Sequence, residues 1–88
     1  MVNPSIDISA VVLDADPRAA TIECNGRLTV GMNYLVEAHG LKFLAGKIMW
    51  VRGGRAGLFF RHSIHPDTLD RLRPSPTQSA VILLRRVP

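Results

Sequence analysis

Eighty-eight residues make a chain the size of one domain, which buries only about 60 to 65 per cent of the surface its unfolded form exposes, so a deep enclosed active site is not expected. Hydrophobic residues at 47% and charged residues at 20% are globular values and exclude a disordered chain. The longest apolar run, "AVILL" at 80–84, falls far short of the roughly 20 residues of a bilayer helix, and "MVNPSIDISA" has neither the basic start nor the apolar stretch of a signal peptide; a cytoplasmic protein without membrane insertion is expected.

The net charge of +4 is divided unevenly along the chain. Residues 1–40 set Arg18 and Arg27 against five carboxylates, net −3, while residues 41–88 set nine lysines and arginines against Asp67 and Asp70, net +7. Such a second half either attracts polyanions or an acidic partner surface, or is the solvated side of strands and a helix. The single cysteine, Cys24, has no second cysteine to bond and reads as a small core residue.

In chain order, Ile6, Ile8, Ala10 and Val12 alternate with Asp7, Ser9 and Val11, the period of a half-buried strand. "DADP" at 14–17 then supplies two aspartates and a proline, which predict a turn. "ATIEC" resumes with Ala20, Ile22 and Cys24 on one face and Thr21 and Glu23 on the other, and "NGR" at 25–27 carries the Asn-Gly turn signal. "MNYLVEA" (32–38) alternates again and stops at His39 and Gly40. In "LKFLAGKIMWV" (41–51), Ile48 and Trp50 are assigned one face opposite Lys47, and Gly46 is the expected bulge or bend. "RGGR" at 52–55 is a glycine hairpin turn with "AGLFF" as its returning strand. Phe43, Trp50 and Phe60 fall in the core register, leaving Phe59 or Tyr34 outside.

Pro66 at a first helical position, Asp67 near the positive end of the dipole, and Leu69, Leu72 and Ile64 as an apolar stripe predict a short helix near 66–73, stopped by Pro74 and Pro76. The tail "SPTQSAVILLRRVP" reads as a sixth strand, a strand that pairs with a partner, or a frayed end. The expected fold class is all-β: a small antiparallel barrel of five to six strands with one short C-terminal helix. Residues 1–73 form the domain and 74–88 the tail. As an exposed edge, that tail would invite a second copy, which leaves a homodimer open.

No nucleophile and base, paired acid and base, or metal cluster shows recognisable spacing, so no catalytic residue or metal ligand is assigned and no enzyme is expected. His62 and His65 lack two further zinc ligands, and "RGGR" lacks the Lys-Ser/Thr and helix of a phosphate loop. A small basic barrel that binds nucleic acid needs exposed aromatics on its basic face. With Trp50, Phe43 and Phe60 assigned inward, that reading is the disfavoured alternative.

The stretch "GLKFLAGKIMWVRGGRAGLFFRHSIHPDTLDRL" (40–72) sets a glycine before a Trp-bearing strand, a glycine turn, a Gly-apolar-x-Phe strand and a His-Pro helix. In this order of features, residues 11–73 resemble the bacterial PilZ domain. The resemblance implies a split barrel with a C-terminal helix, and a receptor or adaptor for the second messenger cyclic di-GMP. The family's ligand signature joins an Arg-x-x-x-Arg to an Asp/Asn-x-Ser-x-x-Gly at a strand corner. Placed by its distance to Gly31, the corner falls on "DADPRA": Asp14 fills the Asp/Asn place, Asp16 replaces Ser and Ala19 replaces Gly. No two arginines in the chain are four apart.

The resemblance therefore implies a degraded ligand corner of Asp14, Asp16, Arg18 and Ala19. Arg52, Arg55 and Arg61 are further phosphate or partner contacts, with Arg52 or Arg55 expected to project toward the same barrel mouth. Two missing charged hydrogen bonds would weaken nucleotide binding by roughly 100-fold to several thousand-fold. Asp16 would add repulsion, and the Ala19 Cβ would close the approach or strain φ. The expected function is a non-enzymatic signalling adaptor that acts by contact with an unidentified protein partner. The alternative is a working cyclic di-GMP receptor that uses Arg18 and the hairpin arginines; no cofactor is implied.

Overall fold

Strands with one apolar face satisfy both that face and their hydrogen-bonding edges by closing on themselves. Six do so here: β1 (Asp7–Ala15), β2 (Ala19–Glu23), β3 (Asn33–Ala38), β4 (Leu44–Arg52), β5 (Arg55–Phe60) and β6 (Ala80–Arg86). They form a closed barrel in the order β1-β2-β5-β4-β3-β6, every neighbouring pair antiparallel. The structure, a computed structural model, describes residues 7–38, 44–75 and 80–86. Expectations for Ile6, His39, Phe43 and Pro76 lie outside those residues.

Each strand places one branched side chain in the centre: Val12, Ile22, Val36, Ile48, Leu58 and Leu84, all essentially inaccessible to solvent. Burial stabilises each of these by about 1.5–3 kcal/mol, so the core is shared equally around the barrel. The small all-β barrel with one helix is thus the observed fold. The "AVILL" segment becomes β6, held between β1 through Val11 and Val81 and β3 through Leu35 and Arg85. With both edges paired, β6 offers no free edge to a second copy, and the edge route to a homodimer falls away.

Helix α1 (Pro66–Leu72) begins with Pro66 in its first turn and is capped by His65, whose Nδ1 accepts from the Asp67 N–H at 3.2 Å. Leu69 and Leu72 are buried with Ile64 against the barrel. Among the described residues no helix is long and apolar enough to cross a membrane.

Three expectations are corrected by strand register. Gly46 pairs regularly with Tyr34 and Phe60, and the β4 bulge lies further on, between Ile48 and Trp50. The extra residue reverses the alternation, so Ile48 points inward while Trp50 is 43% exposed rather than in the core. Of the two aromatics between which the sequence leaves the outside position open, Phe59 takes it, at 45% exposure, while Tyr34 is buried and its hydroxyl accepts from the Thr29 N–H at 3.3 Å. Asn25-Gly26 does bend the chain, but it opens a long connection to β3, because β2 pairs with β5. Finally, strands from the acidic and basic halves of the sequence interleave around the barrel, β3 lying between β4 and β6.

Candidate functional site

The aspartate-rich stretch at 14–17 is a turn, as its residue types predict, and one carboxylate oxygen of each aspartate is committed to the backbone. Asp16 Oδ1 accepts from the backbone N–H groups of Arg18 and Ala19, both at 2.8 Å, while the Asp16 N–H donates to the Ala19 carbonyl at 2.8 Å. These N–H donors hold the Asp16 carboxyl below its ordinary range, first through Arg18 and then Ala19, with the Arg18 and Arg73 charges adding and slight desolvation opposing. The turn is then tied to the rest of the fold. The Arg18 carbonyl accepts from the Phe60 N–H and the Pro17 carbonyl from the Ile64 N–H, both at 2.8 Å, and the Ala15 carbonyl takes the Arg73 Nε–H at 3.3 Å.

Ala19 sits there without strain. No non-glycine residue among those described has a positive φ, so the strained backbone expected from its replacing glycine is absent. Asp16 likewise has a structural task that serine would perform less strongly, since a carboxylate is the better acceptor for two N–H groups.

A groove opens beside this corner on the outer wall of the barrel. Two bulges build it. On β1 the register shifts between Val12 and Asp14 against β2, and on β4 it shifts between Ile48 and Trp50 against β5. Each extra residue turns the next side chain outward, and both land on one transverse row: Asp14 opposite Thr21, Thr21 opposite Gly57, Gly57 opposite Trp50. Gly57 is required in that row because a Cβ on it would run into the Trp50 indole, which lies across it. Met49, the bulge residue, and Phe59 complete the apolar wall, at 53% and 45% exposure.

The groove measures about 160 Å³, below the roughly 300 Å³ at which pockets for whole small molecules begin. Its charged lining residues are Asp14 and Asp16, and no lysine or arginine lines it. A larger hollow of about 750 Å³ lies at the other end of the barrel. Its one charged residue, Glu23, is paired with Arg55 at 3.7 Å, and it has no aromatic wall, so it offers less to a ligand.

The predicted site residues therefore separate. Asp14, Asp16 and Ala19 come together at the groove, and Arg18 lies beside it with Phe59 and Arg61 in an adjoining shallow hollow. Arg52 and Arg55 do not join them. They flank the Gly53-Gly54 hairpin tip, and Arg55 is four residues along β5 from Phe59, about 13 Å at strand rise. The expectation that Arg52 or Arg55 projects toward the corner is corrected, because the β4–β5 hairpin carries both to the opposite end. Met49, Trp50 and Gly57 were not assigned to the site from sequence. The one signal for them is Gly57, a glycine inside a strand, where a close approach is a standard reason for its presence.

No family model matches the chain, and neither does a curated protein or a solved structure.

Proposed function

We propose that the chain is a non-enzymatic adaptor of the PilZ type that works by protein contact, with direct binding of cyclic di-GMP weak or absent. The observation that carries this reading is the groove: exposed Trp50, Met49 and Phe59 beside two carboxylates, with no basic residue in the lining. A dianionic nucleotide entering it meets like charge, at about 1–4 kcal/mol per close pair depending on exposure. A protein surface instead gains from burying the aromatics, the residue types that dominate contact energies.

A second reading is favoured by one neighbouring feature, the Arg18 and Arg61 side chains beside Phe59. Two guanidinium groups and a ring are what a phosphate-linked base would use, so a receptor would bind there and not in the carboxylate groove. The exposure of Trp50 also removes the ground on which nucleic-acid binding was disfavoured, but the cations that such a surface needs do not line the groove. Titration calorimetry with cyclic di-GMP separates these. The adaptor reading expects no saturation below about a millimolar concentration, equivalent to about 4 kcal/mol of binding. A micromolar constant abolished by Arg18→Ala with Arg61→Ala would replace it with the receptor.

A further inference from the structure

Resting on that adaptor reading, we propose that the groove takes a basic side chain, an arginine or lysine on a peptide segment of the partner. The argument starts from the two bulges. Bulges are local devices that re-aim a side chain, and here one on each flank of the β2–β5 pair delivers Asp14 and Trp50 to the same row. Between them stand Thr21 and Gly57, and because Gly57 has no side chain the Trp50 indole lies across it toward Thr21 and Asp14. One end is a ring whose π face attracts cations, and the other is a carboxylate.

The charge of the groove selects the ligand. Asp14 uses Oδ1 to accept from the Ala15 N–H at 2.9 Å, and Asp16 uses Oδ1 for the turn. The second oxygen of each has no hydrogen bond among the described residues. Arg18 and Arg73 act on Asp16 through space, but neither lines the groove, and Arg73 is held by the Ala15 carbonyl. Two carboxylates beside the Trp50 and Phe59 rings are the complement of a guanidinium or ammonium group on an apolar stem. The volume of about 160 Å³ fits one such side chain and not a nucleotide.

Trp50 is the only tryptophan in the chain, so its fluorescence reports on this groove alone. The 88-residue chain is titrated with the peptide acetyl-Gly-Gly-Arg-Gly-Gly-amide and with the same peptide carrying neutral citrulline. The expected result is a saturable change in Trp50 emission with apparent affinity at least about fivefold higher for arginine than for citrulline. In the double variant Asp14→Asn, Asp16→Asn that preference disappears; each asparagine oxygen still accepts the turn hydrogen bonds, and a single cooperative melting transition, lowered because the Asp16 charge is gone, confirms the fold. Equal responses to the two peptides, no response to either, or a preference that survives in the double variant would overturn the inference. If the peptides fail while the cyclic di-GMP titration also stays flat, only this inference falls. If the nucleotide binds at micromolar concentration, the adaptor reading falls with it.

Discussion

The two ends of the barrel contain the same kinds of residue and use them differently. At the β4–β5 tip, Arg52 and Arg55 flank two glycines with positive φ, 56° at Gly53 and 80° at Gly54. Their attachments are an exposed ion pair from Arg55 to Glu23 and a hydrogen bond from the Cys24 N–H to the Gly54 carbonyl at 3.0 Å. At the β1–β2 corner, the carbonyls of Ala15, Pro17, Arg18 and Ala19 are all engaged, and α1 and its lead-in close over them. The contrast shows that arginines alone do not mark the site. A surface becomes a site where the backbone beneath it is fixed and side chains are aimed together, which happens at the corner and not at the tip.

The largest expected effect removes what the two ends share. Leu58→Ala empties a fully buried position in the common core and should cost about 2–5 kcal/mol, read as a lower urea midpoint with both ends lost in one transition. Gly57→Ala acts on the groove side only. Its Cβ displaces the Trp50 indole, with an expected loss of about 1–3 kcal/mol and a shift in tryptophan emission. Gly54→Ala is the matching change at the tip, where the positive φ should cost about 1–2 kcal/mol without altering Trp50 emission. An emission shift from Gly54→Ala would erase the distinction between the ends.

Acid titration sharpens the comparison further. The Asp16 carboxyl is held below its unfolded value, so the unfolded chain binds the extra proton first as pH falls. Its stabilisation is complete above the ordinary carboxylate pKa, near 4, and is lost as pH drops through the lower folded value. The melting temperature of Asp16→Ala should accordingly lie below that of the unmodified chain at neutral pH and converge with it in acid. Glu23→Gln at the tip should change stability least, by no more than about 1 kcal/mol and less in high salt, because both partners are more than half exposed.

The turn at 14–17, the helix with Pro66 at its start and the alternation of β2 and β3 were legible because each is governed by residues close in sequence. Aspartate caps a turn through neighbouring N–H groups, proline fixes its own φ, and a period of two needs only one strand. The outward turn of Trp50 was not legible. Nothing in "GKIMWV" marks Met49 as the bulge, and the more obvious breaker, Gly46, keeps regular pairing and gives room to Leu58 on the neighbouring strand. That bulge is what moved Trp50 from its expected place in the core, since a single inserted residue reverses the side chains beyond it.

Local chemistry thus determined the strands, the turns, the helix and the barrel class, because hydrophobic period and turn residues act within a few positions. Tertiary pairing decided the rest. It chose where β6 lies, separated Arg52 and Arg55 from Arg18, and brought Asp14 and Trp50 from opposite halves of the chain onto one row. Register between strands depends on what each strand meets across the sheet, and that partner is not written in its own residues.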